Sequence, residues 1–287
     1  MMKKVSVLVP AYNHGEYIGD AINSILESDY KNLEIIVVDD GSKDDTRDVV
    51  ANFKDVIYIH QENAGAAHAI NKAISVASGD YLSILNDDDV FLPQHISVAV
   101  NNLEKYGNRI FVGKPDILGS GDKALALEEH ILQSRLQIKS LGLGRSLFQI
   151  NWAISTSAYV FDQHLALELN GFQNFAMCHD LDFLIRALLE VGAGVGTSSE
   201  VTWLYRCHET NSGSSISLKK QHAEIVYCLG RAVNPVLEND VEYNLAQLIG
   251  HGIDPEIIAL AAQDRPWLLE SNMPVCDSIA RWVLKCL

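Results

Sequence analysis

The sequence predicts an α/β protein built on a mostly parallel central sheet with helices on both faces. Three observations predict it. Apolar strand-like runs alternate with helix-spaced stretches across residues 5–105. The run at 33–38 is almost continuously apolar, as expected of a parallel strand covered on both sides. Two of the runs end in acids, Asp39-Asp40 and Asp87-Asp88-Asp89. Aspartate is a poor strand former and costly to bury, so these acids belong just past the strand ends. In open α/β sheets ligands bind outside the carboxyl ends of the strands.

The elements follow in order. Val5-Ser6-Val7-Leu8-Val9 is the first strand, stopped by Pro10. Residues 17–26 have helical spacing, with Ile18, Ala21, Ile22 and Ile25 on one face. After the strand at 33–38, Asp44-Asp45-Thr46 opens a helix to about Asn52, its acids favoured by the N-terminal dipole. Residues 56–60 form a third strand. Residues 66–77 form a helix closed by Ser78-Gly79, where Gly suits a left-handed cap. A strand at 81–85 leads to the second acidic site, and Pro93 opens a helix to about Lys105.

The middle is less regular. Gly119-Ser120-Gly121 and Gly142-Leu143-Gly144 bracket a helical stretch near 124–140. Residues 155–161 read as a strand, 180–191 as a helix and 201–206 as a strand. From about 217 to 287 the pattern is helical, with breaks near Pro235, His251 to Pro255 and Pro274. The expected organisation is one domain over 1–215, divided near 110, followed by a helical extension over 216–287. Within that extension, Ile279, Trp282, Val283 and Leu287 form an apolar face suited to core or homodimer packing, with peripheral membrane contact as the alternative.

Composition narrows the function. The chain has 287 residues, 48% hydrophobic and 21% charged, an ordinary globular balance able to bury a substantial core. Lys+Arg total 22 against Asp+Glu 37, a net charge of -15. That argues against nucleic acid as a partner, because phosphate backbones need basic surface. An acidic protein that binds an anionic ligand needs local positive charge, which a metal supplies. The five cysteines contain no C-x-x-C pair and suggest a reducing cytoplasm. The apolar run after Met1-Met2-Lys3-Lys4 is too short for a signal peptide core, and no stretch reaches membrane-spanning length.

The acidic sites carry the chemistry. Closely packed carboxylates repel unless a cation holds them, and hard oxygen ligands suit Mg²⁺ or Mn²⁺. The alternative is a solvated acidic turn. At the first strand end Tyr12 can offer a ring or hydroxyl to a ligand. A carboxylate of Asp39-Asp40-Gly41-Ser42 can accept from a base N–H or a ribose hydroxyl, while Ser42 or Asp44 can cap the next helix.

Taken together these segments resemble the large family 2 of inverting glycosyltransferases, which have the GT-A fold. The residues that carry the resemblance run from Val5 to Asn13 and from Val37 to Thr46. They continue through Asn63-Ala64-Gly65 with Ala69 and Asn71, through Ser78-Gly79-Asp80-Tyr81, and from Leu85 to Pro93. The resemblance implies a nucleotide-sugar donor, most simply a UDP-sugar, and a glycan or other hydroxyl-bearing acceptor. It implies that Asp40 contacts the uracil ring, with Pro10, Tyr12, Asn13 and Asp39 around the nucleoside. Asn71 takes the place of an Asn near the donor sugar. Asp87 and Asp88 join the donor contacts, and Asp88 and Asp89 look like the D-x-D element, with Asp89 the main metal ligand.

Three positions depart from the family pattern. Asn86 stands where an aspartate is frequent, which moves metal binding onto Asp88 and Asp89. Ile70 stands where Arg is frequent. His179-Asp180 stands for the common Glu-Asp pair before a helix. Asp180 aligns with the catalytic base; on its residues alone it reads first as a helix N-cap. Asp182 and Arg186, four apart, form a surface or structural pair. Tyr205-Arg206-Cys207-His208 resembles the family's segment after its last strand, with Arg206 near donor charge and His208 near the metal or diphosphate. The implied reaction is an inverting, metal-assisted hexosyl or N-acetylhexosaminyl transfer, usual in surface polysaccharide assembly. A non-catalytic nucleotide-sugar-binding or scaffolding protein with a degenerate site is the alternative. Gly192 to Gly196 lacks the context of a dinucleotide fingerprint, and Ser278 to Trp282 lacks the Gln of the Q-x-x-R-W motif of processive synthases.

Overall fold

A computed structural model describes residues 2–147, 151–192 and 194–208, together with Asn211, Glu224 and Cys228. Its first strand, β1 (Val5–Ala11), is buried at every position, because it lies between two parallel neighbours. Helix α1 (Gly15–Leu26) turns Ile18, Ala21, Ile22 and Ile25 into the core, the face its spacing predicts. Then come β2 (Leu33–Asp39), α2 (Thr46–Val50), β3 (Val56–His60), α3 (Ala66–Val76) and β4 (Tyr81–Ile84). The short β5 (Val90–Phe91) precedes α4 (His95–Tyr106) and β6 (Ile110–Leu118). Helix α5 (Asp122–Leu147) breaks at Gly142, whose φ of 78° is not helical. A 3₁₀ turn (Thr156–Ala158), β7 (Tyr159–Asp162), α6 (Gln163–Glu168), α7 (His179–Val191) and β8 (Val195–Arg206) follow.

One eight-stranded sheet has the order β3-β2-β1-β4-β7-β6-β8-β5. Strands β3, β2, β1 and β4 are parallel, β7 runs against both β4 and β6, β6 and β8 are parallel, and β5 runs against β8. The chain winds from β1 to β2 and β3 on one side, then crosses back so that β4 lies on the other side of β1. That reversal opens a crevice at the carboxyl ends of β1, β2 and β4. The registers Ala11↔Asp39 and Leu8↔Ile84 bring both acidic segments to that end beside Pro10.

Several elements differ from expectation. The strand expected at 155–161 begins as a 3₁₀ turn, because Ser155 caps the turn by accepting from the Ser157 N–H. Strand β6 is not predicted, since Gly113-Lys114-Pro115 interrupts its apolar run; the register shifts there, as a bulge allows. Strand β8 begins six residues before the expected 201. Gly79 is required for a reason other than a left-handed cap. The α3 C-cap is Ala77 in an extended conformation, and a Cβ on Gly79 would fall 2.6 Å from the Ser6 backbone N. The close approach lets Glu34 tie the lower ends of the strands together. It accepts from Lys4 Nζ at 2.7 Å, from the Ser78 N–H at 2.7 Å and from the Ser6 hydroxyl. Burial acts to raise the Glu34 pKa, but these donors win and hold it near 2.

Residues Met1–Glu209 form one compact unit. The expected helical extension and its apolar face lie outside the described residues, apart from the helical positions Glu224 and Cys228. Among the described residues no helix is long and apolar enough to cross a membrane, and Cys178, Cys207 and Cys228 form no disulfide.

Candidate active site

The end of β2 is an ordered acceptor site. Asp39 is 1% exposed, and its carboxylate accepts from the Ser42 N–H at 2.8 Å, from the Tyr58 hydroxyl and from His60 Nδ1 at 3.1 Å. Burial acts to raise its pKa, but the hydrogen bonds from Ser42, Tyr58 and His60 prevail and lower it. Asp40 accepts from Gln61 Nε2 at 2.7 Å and from the N–H groups of Ala64 and Gly65, each at 2.8 Å. A carboxylate has about four acceptor positions, so one is left for a ligand N–H. Asn13, at φ 54°, locks the facing turn: its N–H donates to Ser42 Oγ and its Oδ1 accepts from the Lys43 N–H. Pro10 is buried beneath this turn, while the Tyr12 ring is 45% exposed at its mouth. Asp44 accepts from the Gly15 N–H at 2.8 Å, so it holds the start of α1 as well as that of α2.

The end of β4 carries more charge, with three consecutive carboxylates. Asn86 joins β4 to the 3₁₀ turn: its Nδ2 donates to Ser155 Oγ at 2.9 Å and its Oδ1 accepts from Thr156 Oγ1 at 2.9 Å. An amide can donate and accept at once; an ionised aspartate only accepts. That accounts for Asn at this position. Asp87 is buried and accepts from the Tyr12 N–H and from His14 Nδ1, both at 2.8 Å. Asp88 lies 2.9 Å from His208 Nε2. Asp89 is 1% exposed, accepting from Ser157 Oγ at 2.6 Å and from the Arg206 N–H at 3.0 Å. Burial, reinforced by the Asp88 charge, raises the pKa values of Asp87 and Asp89.

One ligand atom each of His14, Asp88 and His208 lies within 4.8 Å of the others. A carboxylate with two imidazoles is a donor set that a divalent transition metal accepts. The expected main ligand, Asp89, is not in this group; its oxygens accept from Ser157 Oγ and from the Arg206 N–H. Asp88 and His208 do come together, and His14 joins them. His14 carries no signal in the sequence beyond standing next to Asn13; its partners are more than seventy residues away. Burial opposes its protonation, but the hydrogen bond and charge of Asp87, with Asp88 and Asp44, lift its pKa to about 9. Arg206 reaches inward: Nε donates to the Asp88 carbonyl at 2.7 Å, and the guanidinium lies 5.0 Å over the Tyr17 ring.

Asp180 is in the first turn of α7, whose N-cap is Cys178. Its carboxylate is buried, accepting from the Leu181 N–H at 2.7 Å and from Asn151 Nδ2 at 3.4 Å. Burial raises its pKa against the opposing pull of His179 and these hydrogen bonds. Burial is the main cause of the raised pKa of Tyr205, and the charges of Asp89, Asp88 and Asp180 add to the effect. Asp182 and Arg186 are a buried structural pair, since Arg186 also donates to the carbonyls of Leu169 and Gly171. They brace a turn that Asn71 holds from the other side. Asn71 Nδ2 donates to the Phe172 carbonyl and Oδ1 accepts from the Phe172 N–H, each at 2.8 Å. Asn71 is thus engaged by the protein at the place where a donor-sugar contact was expected. Ile70 beside it is fully buried core.

A doubly wound sheet whose crevice is closed by an acidic strand end and by β8 defines the GT-A fold. Solved structures agree. Staphylococcus aureus TarS in complex with UDP-GlcNAc superposes with a TM-score of 0.62 at 18% identity, over 98% of this chain and 90% of that one. The mannosyltransferase PcManGT from Pyrobaculum calidifontis, in complex with GDP-Man and Mn²⁺, gives 0.61 at 17% identity, over 100% and 81%. The profile of glycosyl transferase family 2 matches residues 6–162, and the chain belongs to that family. A Rickettsia prowazekii glycosyltransferase is 43% identical over 106 residues, 37% of this chain and 33% of its own length. Glycosyltransferase GlyG of Streptococcus pneumoniae is 37% identical over 118 residues, 39% of each chain. The chain thus spans about a third of the length of these curated relatives.

Proposed function

We propose that this chain transfers a sugar from a nucleotide-sugar donor, a UDP-sugar, to an acceptor hydroxyl with inversion. The observation that carries the reading is the Asp88–His208 pair at the carboxyl end of the parallel strands. Pro10, Tyr12, Asn13, Asp39 and Asp40 form the nucleoside pocket, and Asp40 keeps an acceptor position for a base N–H. Asp88 and His208 would hold Mg²⁺ or Mn²⁺, which when bound neutralises charge on a departing diphosphate. Arg206 adds positive charge on the same side. Asp180 takes the proton of the acceptor hydroxyl, which attacks the anomeric carbon from the face opposite the diphosphate. Its raised pKa suits a general base.

The acceptor side is assigned to residues around Asn151, the donor to Asp180. A cavity of about 280 Å³ opens next to it, lined by Trp152, Ile154 and Ile131 with Lys114, Arg135 and Lys139. The non-catalytic reading loses support, since Asn86 and Ile70 have structural reasons for their identity. The proposed setting is cytoplasmic assembly of a surface glycan.

The test is Asp180→Asn. Transfer from a UDP-sugar falls by about 10²–10⁴-fold, while thermal stabilisation by UDP with Mn²⁺ is unchanged. Transfer at the wild-type rate would remove Asp180 as the base. Absence of stabilisation of the wild type by UDP, GDP, dTDP or CMP would remove the nucleotide-sugar reading.

A further inference from the structure

The Asp88–His208 pair offers two ligands for a cation, and a third candidate comes from the turn after β1. We propose that His14 is the third protein ligand, making a two-histidine, one-carboxylate centre of His14, Asp88 and His208, with Asp87 as its orienting carboxylate. The proposal rests on the metal-dependent reading above and narrows it.

Four observations lead there. The three ligand atoms lie within 4.8 Å of one another, close enough to converge on one ion after small side-chain rotations. His14 Nδ1 is held by Asp87 at 2.8 Å, which leaves Nε2 as the nitrogen able to bind a cation. Asp87 cannot easily turn away, since it is buried and its other oxygen accepts from the Tyr12 N–H at 2.8 Å. A carboxylate that fixes the tautomer and orientation of a histidine is the usual support behind an imidazole ligand, and it raises the ligand's basicity. The rings of His14 and His208 stand perpendicular with centroids 5.4 Å apart, and Tyr17 packs against both. The side chains are thus already ordered around the place a cation would occupy. Asn86 is held by Ser155 and Thr156 and faces that turn.

The consequence is metal choice. Mg²⁺ prefers oxygen ligands and retains its water, whereas imidazole suits later divalent ions. A centre with two imidazoles therefore selects Mn²⁺ or Co²⁺ over Mg²⁺. A site of Asp88 and Asp89 alone would carry no such preference. His14 is also tied through Asp87 to the backbone of Tyr12, so the ion is coupled to the nucleoside turn without any donor contact of its own.

The experiment is pulsed EPR of Mn²⁺ added to the full chain, with and without UDP, alongside titration calorimetry. Wild-type protein shows nitrogen couplings from two imidazoles. His14→Gln and His208→Gln each show one, and each binds Mn²⁺ about tenfold or more weakly. Melting in EDTA checks that the variants fold. If they do not, the number of imidazoles coupled in the wild type decides by itself. Two imidazoles with an intact His14→Gln signal, or one imidazole in the wild type, overturns the assignment. So does wild type that binds no Mn²⁺. UDP stabilisation, measured separately, reports whether the nucleotide reading fails with it.

Discussion

The ends of β2 and β4 carry the same feature in the sequence, acids directly after an apolar strand, yet they are electrostatic opposites. At the end of β2, hydroxyls, an imidazole and backbone N–H groups surround Asp39 and Asp40, and the Asp39 pKa falls. At the end of β4, Asp87 and Asp89 are buried with Asp88 between them, and their pKa values rise. At the first end, donors from the protein fill all but one of the Asp40 acceptor positions. The second concentrates charge that a cation relieves. Burial acts in the same direction at both; the difference is that Asp87 and Asp89 also stand beside the charge of Asp88, whereas the donors to Asp39 prevail over its burial.

The largest effect that would sharpen this contrast is on Asp40. Asp40→Ala leaves the N–H groups of Ala64 and Gly65 without their acceptor, at a cost of about 3 kcal/mol in urea unfolding. A loss under 1 kcal/mol would mean that the loop at 61–65 does not depend on it. At the other end the sign reverses on adding metal. Mn²⁺ at a hundred times its dissociation constant adds about 2.7 kcal/mol to the wild type and nothing to Asp88→Ala. Equal stabilisation of both proteins would break the contrast.

Glu34, at the far end of β2, supplies a pH control. Its folded pKa, near 2, lies below the usual 4.5. Its stabilisation is therefore complete above pH 4.5 and is lost as pH falls from 4.5 toward 2. Glu34→Gln costs about 2 kcal/mol at pH 7, and the gap to wild type closes through that window. A gap independent of pH would show that the carboxylate charge is not responsible. The smallest effect is that of Tyr58→Phe, which removes one donor from Asp39 and costs about 1 kcal/mol. Nuclear magnetic resonance titration should find the Asp39 pKa raised; an unchanged value would remove Tyr58 as a cause of its depression.

Much of the first half was legible because its signals are local. The alternation of apolar runs and helical faces sets β1 to α4, and Ile18, Ala21, Ile22 and Ile25 are buried as their spacing requires. The second half was less so. Strand β6 is hidden by Gly113-Lys114-Pro115, and it becomes a strand only because β7 and β8 flank it. The Asp182–Arg186 spacing is readable, but its burial against the turn at Leu169 and Gly171 is not.

By itself the sequence determined the alternation of strands and helices in the first half, the acids at the strand ends and the family. Tertiary structure decided which partners each side chain meets. Asp89 accepts from Ser157 and from the Arg206 N–H, Asn71 is engaged by Phe172, and His14 bonds to Asp87 near Asp88 and His208. The physical reason is the range of the interactions. Periodicity and strand ends are set by neighbours along the chain, whereas the charge state and role of a buried carboxylate depend on donors that arrive from distant segments.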